Sequence, residues 1–131
     1  MGSFIPGDDV QFASVIISKR SICKKTRAIV IRLNGMKLNF SESDYLKNVL
    51  DKELDHNHCN VILDCQSIDM LFSVQVGIIW SYCRKFRIIG GDLTLCNLNS
   101  SIAAVLERFG LSTVLKVGST VDECIEFIKQ K

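Results

Sequence analysis

The pattern of apolar and polar positions is clearest in the middle of the chain. Val61 to Cys65 is apolar apart from Asp64, a composition typical of a central strand that is covered on both faces. From Ser73 onward, apolar side chains recur every three or four residues, which predicts a helix. Its buried face is expected to carry Val76, Ile79, Trp80, Cys83 and either Phe86 or Arg87. Gly90-Gly91 ends this helix before the next apolar strand, Leu93 to Leu95, so the segment predicts a β–α–β unit whose loop lies where α/β sheets usually bind partners.

Two apolar, β-branched runs precede this unit, Val10 to Ile17 and Ala28 to Leu33, and they predict the two strands of a hairpin. The polar segment between them carries Lys19, Arg20, Lys24, Lys25 and Arg27. This basic tip is either simply solvated or a contact for an acidic partner. Asn34-Gly35 ends the second strand, because glycine permits backbone angles that other residues avoid.

A helix is predicted to begin at Ser41, whose hydroxyl can accept hydrogen bonds from the free amides of the first turn, and to end near Asp55. Its apolar stripe is Leu46, Val49, Leu50 and Leu54. A later helix begins at Ser100 or Ser101, and Gly110 caps its end. The apolar residues of this later helix are Ile102, Val105, Leu106 and Phe109.

The last predicted elements are a short strand from Val114 to Val117 and a final helix that Ser119 or Thr120 caps. The side chains of that helix expected to face inward are Val121, Cys124, Ile125 and Ile128. At 131 residues, the chain is expected to be a single domain spanning residues 1–131.

Charge and composition narrow the classes of partner. Hydrophobic residues make up 47% of the chain, which is globular composition, and a net charge of +2 gives no overall field that would favour nucleic acid or a membrane surface. No apolar run approaches the roughly 20 residues of a membrane-spanning helix. We therefore expect no nucleic-acid partner and no direct membrane insertion.

The six cysteines contain no CxxC pair, and several lie within apolar strand or helix patterns. This usage predicts reduced, buried thiols in a cytoplasmic protein. His56-Asn57-His58-Cys59 could contribute zinc ligands, but a structural zinc site needs four ligands and no convincing second pair lies nearby in the sequence. We expect a plain connecting loop there, with no metal and no cofactor.

From residue 10 to about residue 129, the order of these elements resembles the STAS domain family. The family pattern of a hydrophobic strand, an aspartate, a loop and a glycine-containing helix fits Asp64 and Gly77, and the next strand follows Gly90-Gly91. A family motif of leucine, three residues, glycine and leucine fits Leu106, Gly110 and Leu111, and the segment 119–124 fits its last helix. Leu33-Asn34-Gly35 resembles the glycine that ends a family strand, although the following Leu38-Asn39 fits only with one inserted residue.

The resemblance implies a degenerate phosphorylation motif. Aligned without gaps, the family's Asp-Ser-Ser-Gly sequence becomes Phe72-Ser73-Val74-Gln75, so Val74 stands where switching members carry the phosphoacceptor serine. Valine has no hydroxyl and cannot be phosphorylated. Ser73 either caps the helix that follows or is a displaced phosphosite.

The expected partner-binding surface lies at this helix start. Met70, Leu71 and Phe72 run consecutively after the strand has ended, and not all of them can point inward. The full set of expected partner-binding residues is Met70, Leu71, Phe72, Ser73, Val74 and Gln75. Trp80 and Tyr82 lie on opposite sides of the helix, and packing is the expected role of both.

The fold expected from these patterns is α/β and STAS-like, with a four- or five-stranded mixed sheet, an N-terminal hairpin joined to parallel strands, and about four helices mainly on one side. The chain shows no catalytic constellation and no glycine-rich phosphate cradle, so neither an enzyme nor a nucleotide-binding protein is expected.

The resemblance implies a protein-binding regulatory module, similar to an anti-sigma factor antagonist and involved in signalling and transcription regulation. Its partner would be an anti-sigma factor, a kinase-like protein or a signalling scaffold, and a weak homodimer stays open. The alternative is a structural STAS subunit or domain of a membrane transporter complex.

Overall fold

A computed structural model describes residues 10–12, 15–21, 27–34, 40–55 and 60–129 of the chain. Its elements, in chain order, are β1 (Val10–Phe12), β2 (Val15–Ser21), β3 (Arg27–Asn34), α1 (Phe40–Asp55), β4 (Asn60–Ser67), α2 (Ser73–Ile88), β5 (Asp92–Cys96), α3 (Ser100–Arg108), β6 (Lys116–Gly118) and α4 (Val121–Lys129). The tip of the predicted basic hairpin, residues 22–26, and the loop His56 to Cys59 lie outside the described residues.

Within the described residues, the strands form one six-stranded mixed sheet in the order β1-β2-β3-β4-β5-β6. The pairs β1–β2 and β2–β3 are antiparallel, and every later pair is parallel. This confirms the α/β class and the N-terminal hairpin, but the expected count of four or five strands is too low. The predicted strand from Val10 to Ile17 is two antiparallel strands, with Val10 opposite Ile17. The run contains no glycine or proline that would have signalled a reversal.

The two faces of the sheet are covered differently. Side chains alternate along each strand, so Val61 and Leu63 of β4 contact the core beneath α1, α2 and α3. Ile62 points the other way, into a smaller cluster with Cys124 and Ile128 of α4. The prediction that the helices lie mainly on one side is confirmed.

The buried faces of α1 and α2 agree with the sequence pattern in most positions. Leu46, Val49 and Leu50 of α1 are buried, as are Val76, Ile79, Cys83 and Phe86 of α2. Trp80 is half-buried, whereas Arg87 is exposed and donates to the Asp92 carboxylate at 3.0 Å. Tyr82 is also buried, and its hydroxyl donates to Asp51 of α1 at 2.6 Å. The packing role expected of Tyr82 is therefore confirmed.

Glycines end α2 and α3 as predicted. Gly90 and Gly110 have φ values of 93° and 73°, which other residues adopt only with strain. In each case the amide of the following residue donates to a carbonyl of the helix. Gly91 donates to Phe86 and Leu111 donates to Leu106, both at 2.9 Å. These Schellman-type ends satisfy carbonyls that the last helical turn leaves free.

The region after α3 differs from the prediction. Val114 and Leu115 both donate from their amides to the carbonyl of Leu111, so residues 111–115 form a turn instead of the start of a strand. The strand β6 is therefore Lys116–Gly118, not Val114 to Val117. The final helix begins as predicted, because the Thr120 hydroxyl accepts the Glu123 amide at 3.1 Å.

Helix α3 begins at Ser100, but its cap is Asn99 and not a serine. The Asn99 side-chain oxygen accepts the Ile102 amide at 2.8 Å, which satisfies one of the free donors of the first turn. Its amide nitrogen donates to the carbonyls of Ile68 and Asp69, at 3.4 Å and 3.0 Å. One side chain thus holds the segment after β4 against the start of α3.

The described cysteines Cys65, Cys83, Cys96 and Cys124 are free thiols and are buried. Burial raises the pKa of Cys65 to about 12 and that of Cys83 to about 11, so both remain protonated at neutral pH. Cys23 and Cys59 lie outside the described residues.

Substituting Asn99 tests how the loop after β4 is held in place. We expect Asn99→Ala to lower the free energy of unfolding by about 1 to 2 kcal/mol, because it removes the cap of α3 together with two bonds to the loop. Urea denaturation measures the loss, and Ser100→Ala at the adjacent exposed position is the control. Equal stability of the two variants would show that the Asn99 bonds contribute nothing.

The cysteine assignment predicts six reduced thiols in freshly prepared protein, because the described cysteines are buried away from solvent and none is joined in a disulfide. Thiol titration under denaturing, non-reducing conditions should count all six cysteines. A count of four or fewer would contradict this expectation and indicate a disulfide in the native protein.

Candidate functional site

The expected partner-binding residues divide into an exposed and a buried group. Phe72 and Val74 are each 50% exposed, Met70 is 38% exposed, and Ser73 also lies at the surface. Leu71 and Gln75 are buried, so these two expected contact residues present almost no surface of their own, and the contact role of the set stays a prediction. The surface therefore presents three apolar side chains around one hydroxyl.

The buried residues explain why the exposed ones are held in place. Leu71 and Ile68 insert into the core beneath the sheet and fix the segment 68–72 at both ends. Gln75 turns back along α2, and its side-chain oxygen accepts the amide of Phe72 at 2.9 Å. The backbone at Phe72 is therefore positioned from both sides, while its ring stays half in solvent.

Ser73 does not have the capping role predicted for it. Phe72 occupies the N-cap position, with φ −94° and ψ 166°, and Ser73 is the first residue of α2. The glutamine three residues after the cap supplies the acceptor, as in half of a capping box. Gln75 has this spacing in the sequence, but the hydroxyl of Ser73 was the stronger signal for a helix cap.

Asp64, the aspartate near the end of β4, is almost completely buried and joins the ends of the neighbouring strands. Its Oδ1 accepts the Gln66 amide at 3.0 Å and the Asn97 side-chain amide at 2.9 Å. Its Oδ2 lies 3.5 Å from Nε of Arg32 in β3. The carboxylate thus connects β3, β4 and the residue after β5, which supports the sheet edge from which the 68–72 segment emerges.

A groove lies between this segment and α3, which we call the α2–α3 groove, with a volume of about 460 Å³. Its walls are Met70, Leu71, Phe72 and Ser73 on one side and Ser101, Ala104, Val105, Arg108 and Phe109 on the other. Phe109 was predicted to face inward, but α3 ends at Arg108 and the Phe109 ring is 51% exposed. The sequence analysis missed both Arg108 and Phe109 as candidate site residues.

A sequence signal for Phe109 did exist. Phe109 stands directly before Gly110, whose positive φ turns the chain away from the helix axis, so the helical period no longer fixes where the ring points. The helical phase alone placed Phe109 with Val105 and Leu106, both of which are buried.

The α2–α3 groove is mostly apolar. Apolar side chains form most of its walls, and Arg108 adds a positive charge at one end. Nowhere in the described part of the chain do three or more histidine, cysteine or acidic side chains gather as a metal ion would require. Among the described helices, none has the length and apolar character needed to cross a membrane.

Comparison with known proteins places the fold in context. In sequence, the chain is 21% identical over 90 residues to the anti-sigma F factor antagonist of Paenibacillus polymyxa, covering 68% of this chain and 76% of the relative. In structure, it superposes with a TM-score of 0.72 on the unphosphorylated form of the anti-sigma factor antagonist SpoIIAA, at 17% identity, covering 88% of this chain and 97% of SpoIIAA. SpoIIAA has also been solved in a phosphorylated form.

A sulfate transporter family protein from Wolinella succinogenes has the same fold, with a TM-score of 0.66 at 21% identity, covering 79% of this chain and 85% of that protein. The family model of the STAS domain matches residues 20–124, which include α1, α2, α3, the start of α4 and all the parallel strands. This match spans most of the chain, and the protein belongs to the STAS domain family.

Proposed function

We propose that this chain is a non-enzymatic regulatory module of the anti-sigma factor antagonist type, which binds a protein partner through the α2–α3 groove and the start of α2. The observation that carries the proposal is the half-exposed apolar surface formed by Met70, Phe72 and Phe109 around the groove. Exposed aromatic side chains beside a pocket are typical centres of protein interfaces.

The similar proteins support this class of function. The Paenibacillus relative and SpoIIAA are both anti-sigma factor antagonists, and in each comparison the alignment covers more than two thirds of both chains. For the present chain, the proposed partner is an anti-sigma factor, a kinase-like protein or a signalling scaffold. The residues proposed to touch it are Met70, Phe72, Ser73 and Val74, together with Arg108 and Phe109.

The form of the groove suggests what the partner presents. An apolar side chain would fill the space between the Phe72 and Phe109 rings, and a carboxylate would pair with the exposed guanidinium of Arg108. Since Leu71 and Gln75 hold the segment from below, the groove is formed before the partner arrives, which lowers the entropy cost of binding.

The proposed module lacks its phosphorylation switch. Val74, aligned with the family's acceptor serine, is the second residue of α2 and is 50% exposed, so the position is accessible but carries no hydroxyl. A phosphate there would add about −1.5 to −2 charges at the positive end of the helix dipole and would alter the contact surface. With valine in this position, we expect the apolar contact to be constitutive.

The alternative function is a structural STAS subunit or domain of a membrane transporter complex. The Wolinella sulfate transporter family protein, which has the same fold, is the observation in its favour. The genes beside the one for this chain separate the two functions: a sigma factor and an anti-sigma kinase support the regulatory module, whereas a permease and an ATPase support the transporter subunit.

The docking surface is tested by shortening the half-exposed aromatic side chain at the start of α2. Phe72→Ala should weaken binding to the anti-sigma factor encoded by a neighbouring gene roughly thirtyfold, because an aromatic anchor at the centre of an interface contributes ~2 kcal/mol or more. Titration calorimetry measures the affinity. Thermal unfolding should change little, since half of the Phe72 side chain is already in solvent.

The matched control is Ile88→Ala, which shortens another exposed apolar side chain at the opposite end of α2, where Ile88 is 84% exposed. Its affinity should equal that of the wild-type protein. If Phe72→Ala and Ile88→Ala bind the partner with the same affinity, whether unchanged or reduced, the interface lies elsewhere.

The loss of the switch is tested with the kinase that phosphorylates serine in this family. The wild-type chain should remain unmodified at residues 72–75, while Val74→Ser should accept phosphate because the substitution places a hydroxyl at the exposed second residue of α2. Mass spectrometry of the digested protein locates the phosphate, and Val74→Ala is the control. Phosphate on Ser73 of the wild-type chain would show instead that the acceptor has moved by one residue.

A further inference from the structure

The face of the sheet opposite α1, α2 and α3 contains two cysteines that the proposed function does not use. Cys96 is the last residue of β5, and Cys124 lies in the first half of α4. Both are completely buried in the small cluster that α4 forms with Ile62 and Ile128. They come from different elements and meet between the sheet and the helix.

A glycine creates the space in which the two sulfurs meet. Gly118 of β6 is the register partner of Cys96, so it lies directly beside it on the neighbouring strand. A Cβ atom built on Gly118 would lie 2.8 Å from Sγ of Cys124, too close for any side chain. The Cys124 sulfur therefore occupies the place that a side chain on Gly118 would take, next to Cys96 and in the same buried cluster.

The surroundings give the two thiols different reactivity. The Cys96 thiol donates to the Leu63 carbonyl at 3.7 Å and the Cys124 thiol donates to the Leu95 carbonyl at 3.5 Å, while the neighbouring Thr94 hydroxyl donates to the Val61 carbonyl at 3.5 Å. Interaction with the neighbouring Cys96 thiol is the largest cause that lowers the pKa of Cys124, and the same interaction, together with burial, raises the pKa of Cys96. Cys124 is thus the thiol of the pair whose pKa is lowered, whereas burial raises the pKa of Cys65 and Cys83.

We propose that Cys96 and Cys124 form a redox-sensitive dithiol, which a peroxide converts to a disulfide joining β5 to α4. The Cys124 thiolate attacks one oxygen of hydrogen peroxide, the O–O bond breaks, and water leaves after protonation. The Cys96 sulfur then attacks the resulting sulfenic acid and releases a second water as the S–S bond forms. Two thiols lose two electrons in total, and one peroxide molecule gains them.

Access to the thiols comes through movement of α4. Cys124 and Ile128 are the buried side chains of this nine-residue helix, while Val121 and Ile125 pack only partly against the sheet. A helix held by few buried contacts opens locally more readily than the central strands do. A peroxide molecule is small enough to reach the sulfurs during such an opening, and the disulfide then fixes α4 to the sheet.

The experiment treats the native, reduced protein with hydrogen peroxide, blocks the remaining thiols under denaturing conditions, and maps cross-linked peptides by mass spectrometry. The expected product contains a single major link, Cys96 to Cys124, which dithiothreitol reverses. Its midpoint of thermal unfolding should exceed that of the reduced protein, because the cross-link restricts the unfolded chain. The same treatment in urea, where proximity is lost, should instead give a mixture of links.

Single variants assign the two roles. Cys96→Ser should prevent the disulfide but leave a sulfenic acid on Cys124 that dimedone traps, whereas Cys124→Ser should give neither product. Cys65→Ala removes a buried thiol from the other face of the sheet and should leave the link unchanged. The proposal is overturned if the wild-type map shows no Cys96–Cys124 link, or if other pairs form as readily in the native protein, results that do not depend on whether any variant folds.

Discussion

The burial of β4 on both faces is the constraint from which the rest of the architecture follows. Val61, Ile62 and Leu63 have no measurable exposure, so one side of the strand must be covered by α1, α2 and α3 and the other by α4. A strand buried in this way has a fixed register, because a shift by one residue would exchange its two sets of side chains. The end of β4 is thus a rigid point from which a binding loop can emerge.

Hydrogen bonds and an ion pair at the end of β4 also hold the surface segment that follows this strand. Asp64 joins the ends of β3 and β4 to Asn97, and Asn99 then holds the carbonyls of Ile68 and Asp69 while it caps α3. Leu71 supplies an apolar anchor in the core. Because these contacts place the backbone of the segment, the Phe72 ring remains half exposed, as the proposed contact with a partner requires.

The sequence was sufficient for features set by local chemistry and insufficient for those set by partners distant in the chain. The period of apolar residues located α2 and β4, and Gly90 and Gly110 located helix ends, because both signals depend only on neighbouring residues. By contrast, residues 10–17 form two strands, but they contain no glycine or proline that would have indicated a turn between them.

The candidate site was only half visible for the same reason. The segment 70–75 could be located from its position after β4, but which of its side chains point inward depends on contacts with α3 and the core. Phe109 and Arg108 lie more than thirty residues further along the chain, and nothing in the sequence places them beside Phe72. The asparagine that joins the two regions, Asn99, stood next to two serines that are equally good capping residues.

The two proposed sites lie on opposite faces of the sheet, but the end of β5 connects them. Cys96 closes that strand, and the side-chain amide of the next residue, Asn97, bonds both to the Asp64 carboxylate and to the Cys96 sulfur, at 2.9 Å and 3.7 Å. Asn99, two residues further on, holds the segment that forms one wall of the α2–α3 groove. The proposed bond from Cys96 to Cys124 would therefore form beside the same short stretch that positions the groove. Asn97 has a left-handed backbone, with φ 57°, a conformation that residues other than glycine seldom adopt, so its two side-chain bonds hold an unusual turn between β5 and Asn99.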